Sequence, residues 1–279
     1  MKDQIMNTST VNKGTNLNIQ LQDIILNYDD LGEGKLPIIF IHGFPFDKSM
    51  WQPQMDYFSK INRVISFDIR GFGKSSAGNT KASMSLFADD LIRMMDSLKI
   101  EKAIVCGLSM GGYILLNAIA RFPERFEAIV LCDTQCLADS PEVKEKREKT
   151  IQHILEKGYM DFAENFVNSI FCRKSLNNNI GWIEKMKHTI LSTPPLTITG
   201  TLSALAQRWE MCSGLGLIKV PTLILCGSED SVAPPEQSKY LHDHIENSTW
   251  HTINDAGHMS NLEQSELFNR HLSDFVSEL

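Results

Sequence analysis

No stretch of this chain approaches 18 consecutive apolar residues, so the sequence offers no membrane-spanning helix. Met1 to Asn18 is polar and lacks the apolar core of a signal peptide, which makes the N-x-[ST] sequons at Asn7 and Asn247 chance matches. No basic block offsets the net charge of −7, so nucleic acid is not an expected partner. The densest cationic run, Lys144 to Lys149, contains Glu145 and Glu148 and reads as a solvated helix face. Cysteine is scattered: Cys106, Cys132, Cys136, Cys172, Cys212 and Cys226 include no C-x-x-C pair. Cys106, Cys132 and Cys226 fall in or at the end of apolar strand-like runs, where a buried free thiol is the expectation. These absences predict a reducing, cytoplasmic compartment and no structural metal.

What remains is an ordinary globular mixture, 42% apolar and 22% charged. The 279 residues suffice for one large core plus an insertion, or for two ordinary domains. Short apolar runs at Leu36–Ile41, Arg63–Asp68, Ala103–Cys106 and Ala128–Cys132 read as strands. Helical patterns alternate with them, at Ser49–Lys60, after Ser83 and from Gly112 to Phe122. Ser83 is placed to cap a helix whose apolar face carries Leu86, Phe87, Leu91, Met94, Met95 and Leu98. Strands alternating with helices predict a parallel sheet covered on both faces.

From Thr134 to about Cys212 that rhythm stops. Pro141–Lys157, Asp161–Phe171, Ile180–Leu191 and Pro195–Glu210 all read as helices, and strands resume at Thr222–Cys226 and Thr249–Ile253. The expected organisation is a core of residues 1–133 and 213–279 interrupted by a helical cap, or lid, over 134–212. Only the N-terminal tail and the Gly32-Glu-Gly34 turn read as loose, and there are no internal repeats.

The sharpest motif is Gly107-Leu108-Ser109-Met110-Gly111, a G-x-S-x-G between a strand run and a helical run. A nucleophilic serine there stands on a tight strand-to-helix turn, and a side chain two residues to either side would meet neighbouring backbone. The following helix points its N-terminal N–H groups at the site, where they favour developing negative charge.

With His42-Gly-Phe-Pro45, Gly227-Ser-Glu-Asp230 and Gly257-His258, this motif resembles the α/β-hydrolase fold family, which also shares the chain order Ser, Asp, His. The wording Cys-Gly-Leu-Ser-Met-Gly-Gly-Tyr and Ala-Gly-His-Met-Ser-Asn-Leu-Glu is most similar to the 3-oxoadipate enol-lactonase and small bacterial carboxylesterase branch. The resemblance implies a mostly parallel eight-stranded sheet with helices on both faces and an inserted helical cap. It also implies Ser109 as nucleophile, His258 as base and Asp230 as the acid that orients the base. Asp133, after the preceding strand, is the alternative acid, and Glu229 is a near neighbour. The backbone N–H groups of Phe44 and Met110 would form the oxyanion hole. His42, Phe46 and Trp51 are candidate pocket residues, with His42 also suited to bracing the oxyanion loop.

Other motifs carry less. His242 and His244 stand at i and i+2, so on a helix they point apart and cannot share a metal. Gly71-Phe-Gly-Lys-Ser-Ser76 looks like the end of a phosphate-binding loop, but position 68, where that motif needs glycine, is Asp. Serine rather than aspartate at position 109 disfavours haloalkane dehalogenase and epoxide hydrolase chemistry.

The expected activity is hydrolysis of a small carboxylic ester or lactone through an acyl-enzyme on Ser109, with no cofactor. Three alternatives stay open: C–C bond hydrolysis or elimination with the same triad, perhydrolase chemistry of the non-haem haloperoxidase kind, and a hydrolase-fold sensor that binds a small molecule and signals to a protein partner. If the substrate carries a carboxylate, Arg147, Arg173 or Arg208 is a candidate to meet it.

Overall fold

The structure is a computed structural model that describes residues 13–178 and 180–279. The Asn7 sequon and the start of the expected loose tail lie in residues 1–12, outside the described residues. The first half runs β1 (Gly14–Leu21), β2 (Ile24–Leu31), β3 (Ile38–Ile41), α1 (Gln52–Phe58), β4 (Val64–Phe67), α2 (Met84–Ser97), β5 (Ala103–Leu108), α3 (Met110–Arg121) and β6 (Phe126–Cys132). Then come five helices, α4 (Pro141–Lys157), α5 (Met160–Ile170), α6 (Arg173–Asn178), α7 (Ile180–Ser192) and α8 (Pro195–Ala206). The chain closes with β7 (Thr222–Gly227), α9 (Pro235–His244), β8 (Ser248–Ile253), α10 (Ser260–Glu263) and α11 (Ser265–Ser277).

All eight strands form one sheet in the order β1-β2-β4-β3-β5-β6-β7-β8. Only the pairings of β2 with β1 and β4 are antiparallel. Every residue of β3, β4, β5 and β7 is buried, as strands covered on both faces require. The two strands that the apolar runs did not reveal are β1 and β2. In β1, Leu17, Ile19 and Leu21 turn inward while Asn18 and Gln20 face water, the alternation of a half-buried edge strand. In β2 the acidic Asp30 hides the signal. Its carboxylate is wholly buried and takes two hydrogen bonds from Arg63, 2.6 and 3.0 Å long.

Strand order places the site. From β3 the chain passes to β4 on one side of the sheet, then returns to set β5 against the other side of β3. The loops after β3 and β5 therefore part in opposite directions and leave a crevice at the carboxyl ends of the strands, where ligands bind in open α/β sheets. His42–Pro45 follows β3 and Ser109 follows β5. The five-helix segment leaves β6 at that same edge, and its far end returns there, where Met211 N–H donates to Cys136 O at 2.8 Å.

Two loops behind the crevice are fixed by one buried carboxylate. Asp68 accepts the N–H groups of Lys48 at 2.9 Å and Lys74 at 2.8 Å, and burial pushes its carboxyl up to about 6. The glycine-rich Gly71–Ser76 segment thus wraps an aspartate of its own chain. A Cβ on Gly73 would fall 2.3 Å from that carboxylate.

The expected reducing compartment rested on three strand-run thiols and the lack of a C-x-x-C pair; outside that set, Cys136 and Cys212 form a disulfide. Their 76-residue separation gives no local pattern to read. They meet because the chain leaving α8 returns to the segment that leaves β6, where Met211 N–H donates to Cys136 O at 2.8 Å, so the bond ties the two ends of the helical segment together. Cys106, Cys132 and Cys226 are buried free thiols, as is Cys172. Among the described residues no helix is long and apolar enough to cross a membrane.

Candidate active site

Ser109 ends β5 at φ 54°, ψ −113° and opens α3. The left-handed φ is strained for a serine, and the surroundings hold it. Ser109 N–H donates to Cys132 O at 2.9 Å, and Thr134 Oγ1 donates to Ser109 O at 2.8 Å. The flanking glycines are required by close backbone. A Cβ on Gly107 would lie 2.4 Å from Gly111 O, and one on Gly111 would lie 2.3 Å from Ile41 O. As the first residue of α3, Met110 has no intrahelical acceptor for its N–H.

The loop after β3 lies against this turn, since a Cβ on Gly43 would sit 3.5 Å from Ser109 Cβ. His42 braces the loop and does not line a pocket. It is wholly buried, its Nε2 accepts Ile69 N–H at 2.9 Å, and its Nδ1–H therefore donates to Gly43 O at 2.9 Å. Burial holds the imidazole down to about 4, so it is neutral. Phe44 precedes Pro45 through a cis peptide bond. Trp51 is corrected from pocket to core: it is fully buried against Phe40 and Phe268. Phe46 is also buried but reaches Phe166 of α5.

His258 follows β8, with its Nδ1 2.8 Å from Asp230 Oδ2. The other oxygen of Asp230 accepts the N–H groups of Val232 at 2.8 Å and Ala233 at 3.0 Å, which fixes the carboxylate. Asp133 lies nearby but is differently engaged. It accepts Gly227 N–H at 2.8 Å and the Ser260 hydroxyl at 2.5 Å. Burial, and then the charge of Asp230, push the Asp133 carboxyl well above its ordinary range. Glu229 is exposed. Burial by itself would lower the His258 imidazole. The carboxylates of Asp230, Asp133 and Glu263 outweigh that effect and hold it above the usual histidine value. The geometry thus pairs the imidazole with Asp230 and sets Asp133 behind both as a bridge from β7 to the histidine loop.

Glu263 was passed over in the sequence beyond its place in the Ala-Gly-His run. Its Oε1 accepts the N–H groups of Gly257 at 2.8 Å and Met259 at 3.3 Å, on either side of His258. Its Oε2 accepts Cys172 N–H from the helical segment at 2.9 Å. Three donors on one buried side chain call for a carboxylate. Glu-x₄ after a histidine is the only sequence trace of this clamp.

The α/β-hydrolase fold family matches residues 37–265, a span that holds the serine turn, Asp230 and His258. The chain belongs to the α/β-hydrolase fold family. Its relatives include 3-oxoadipate enol-lactonase 2 of Acinetobacter baylyi, 29% identical over 249 residues that cover 89% of this chain and 91% of that protein. Among solved structures, a thermophilic esterase from Thermogutta terrifontis superposes with a TM-score of 0.88 at 34% identity, covering 91% of this chain and 94% of that one. The enol-lactonase of Burkholderia xenovorans LB400 gives 0.87 at 28% identity, covering 94% and 100%. Fold and relatives make this chain a hydrolase.

Within this α/β-hydrolase the helical segment approaches the site along α5. Ile170 O accepts His258 N–H at 2.7 Å, and Ser169 O accepts the Ser231 hydroxyl at 3.4 Å. Earlier in α5, Phe166 and Phe162 stand 5.9 and 6.4 Å from the Phe44 ring, centre to centre. One helix therefore runs from the Phe44 loop to the histidine. Of the arginines considered for a substrate carboxylate, two are already engaged. Arg147 and Arg208 both pair with Asp139, and Arg208 also lies 4.4 Å over the Tyr113 ring. Arg173 is exposed at the start of α6. His242 and His244 bond separately, to Ser248 and Tyr240 O.

Proposed function

We propose that this α/β-hydrolase is a serine hydrolase that cleaves a small carboxylic ester or lactone through an acyl-enzyme on Ser109. The observation that carries the reading is the 2.8 Å contact between His258 Nδ1 and Asp230. A carboxylate at Nδ1 holds that nitrogen protonated and leaves Nε2 as the lone-pair base. The base belongs to the same sheet edge as Ser109, which itself sits at the N-terminus of α3.

In the proposed reaction the Ser109 Oγ–H proton passes to His258 Nε2 as Oγ bonds to the carbonyl carbon. The carbonyl π pair moves to oxygen, where the N–H groups of Phe44 and Met110 receive the negative charge. Collapse breaks the bond to the leaving oxygen, which takes the proton from Nε2. Water then repeats the sequence on the acyl-enzyme, and Ser109 regains its proton. In a lactone the leaving oxygen stays tethered to the acyl chain, so one product forms. Asp230 stabilises the imidazolium in both halves and does not itself take the proton.

The five-helix segment is proposed as the lid, because α5 crosses from Phe44 to His258. Its closure would exclude water and furnish the pocket wall. Intact-mass analysis after fluorophosphonate treatment tests the reading. A single adduct on the wild type that disappears in Ser109→Ala, together with sustained turnover of p-nitrophenyl esters, is expected. An adduct on another serine, or labelling without turnover, would overturn it; the second outcome would point to a sensor.

A further inference from the structure

We propose that the cleft where the neck of the helical segment meets α2 and α3 is a binding site for a short-chain monocarboxylate, separate from the serine crevice. The cavity holds about 150 Å³, a size for a small ligand, and none of Ser109, Phe44, Met110 or His258 lines it. Its walls are the first turn of α2, Tyr113 and Asn117 of α3, Gln135–Leu137 after β6, and the chain leaving α8.

Donors without acceptors converge there. Arg208 is only 6% exposed. Its Nη1 donates to Asp139 Oδ1 at 2.5 Å and to Leu205 O at 3.0 Å, and its Nε donates to Leu137 O at 3.2 Å. Nη2 has no hydrogen-bond partner among the described residues, yet it is not sealed from accessible space. The same holds for the hydroxyl of Tyr113, 8% exposed, whose ring centre lies 4.4 Å from the Arg208 guanidinium. Two buried side chains on one cavity thus keep unspent polar atoms, which a bound ligand would satisfy. The third contribution is the start of α2, a 14-residue helix. Ser83 Oγ accepts Leu86 N–H at 3.1 Å, and the N–H groups of Met84 and Ser85 have no intrahelical acceptor at the cavity wall. That end of a helix favours an anion.

Charge agrees with the donors. Arg147 and Arg208 share the single carboxylate of Asp139, so two guanidiniums against one carboxylate leave one positive charge in excess. Among the described residues no Asp or Glu lines the cavity. One excess charge and a planar guanidinium suit a singly charged, planar carboxylate. Leu116, Ala204 and Met211 line the remainder, where a short alkyl chain would lie.

The test is a titration of the whole chain with sodium butyrate, against sodium chloride at equal ionic strength. The signal is the part of the tryptophan fluorescence that Trp209→Phe removes, since Trp209 lines the cavity and is 84% exposed. A saturable change is expected, with butyrate bound about tenfold more tightly than the neutral butyramide. Arg208→Gln should weaken butyrate binding by about tenfold or more. Tyr113→Phe keeps the ring under the guanidinium and removes only the hydroxyl. It should weaken binding severalfold, which keeps the test sharp if Arg208→Gln folds poorly. Ser109→Ala should bind butyrate as the wild type does, whatever becomes of the serine-hydrolase reading. Equal binding of butyramide, tighter binding of inorganic phosphate, or an affinity unchanged in both cavity variants overturns the proposal. Loss of binding in Ser109→Ala would put the carboxylate in the serine crevice and overturn it as well.

Discussion

The sheet and the helical segment between β6 and β7 bury their side chains in different ways. In β5 every residue is inaccessible, and its parallel pairing runs unbroken against β3 and, from Ile104 onward, against β6. In α4, seventeen residues long, only Ile154 is buried. The segment is held by amphipathic contacts, by the Cys136–Cys212 bond at its neck and by polar ties from α5 and Cys172 to the histidine loop. A close-packed sheet edge can keep reacting groups within fractions of an ångström. A partly exposed helical layer tolerates replacement of its side chains. The difference teaches that the two regions hold their residues by different means and are joined at α5; in the proposed function the sheet edge carries the chemistry and the helical segment the choice of substrate.

The largest expected effect breaks the sheet side of that contrast. Ser109→Ala should reduce ester turnover by on the order of 10⁵–10⁶ while leaving the thermal unfolding midpoint near that of the wild type. Next is the acid. Asp230→Asn should cost on the order of 10⁴ in kcat, because Nδ1 would lose the acceptor that sets its tautomer. Asp133→Asn should stay within about tenfold of the wild type. Its carboxyl is pushed toward the neutral form, and asparagine can still accept Gly227 N–H and donate to Ser260. Should the two variants rank the other way in steady-state assays, the acid belongs at Asp133.

Exchange of residues 134–212 with those of a hydrolase of different preference tests the other side. The order of preferred esters should travel with the segment, by about tenfold or more in relative kcat/KM, while p-nitrophenyl acetate is still turned over. If the preference stays with the sheet, the lid assignment is wrong.

In the proposed reaction the joint between the two regions should respond to pH. The base must be neutral to accept the serine proton, and carboxylates hold His258 above the usual histidine value of about 6.5. The acid limb of the kcat/KM profile should therefore lie above that value. In Glu263→Gln one anion facing His258 is gone, while Asp230 remains. The imidazole then protonates less readily, so the limb should move to lower pH. Turnover should also fall, by about tenfold, because an amide cannot accept all three N–H groups. A uniform loss with an unmoved limb would reduce Glu263 to a purely structural tie. The smallest effect is expected from Cys136→Ser. Hydrogen exchange should quicken in α4 to α8 and stay unchanged in β5 and β6, with the melting midpoint a few degrees lower.

Ser109, Asp230 and His258 were legible because each sits in a short glycine-flanked stretch just after a strand run. Such turns are local: the backbone conformation, the close approach and the residue type are all written within five positions. Four of the five helices described in the inserted segment were legible for the same reason, with Pro141–Lys157 matching α4 end to end, whereas the short α6 was not read. Strand β2 was not, because Asp30 breaks its apolar run and is redeemed only by Arg63, more than thirty residues away.

By itself, then, the sequence determined the α/β alternation, the serine turn, the order of the three polar residues and the helical interruption, since each is a matter of near neighbours. Only the tertiary structure decided which carboxylate meets His258, which arginines are already paired, that Trp51 belongs to the core, that Cys136 finds Cys212, and that Glu263 clamps the histidine loop to α5's far end. Those facts depend on distances between segments far apart in the chain. Burial then sets their consequences, because a charge or hydrogen-bond donor removed from water takes whichever partner the fold brings to it.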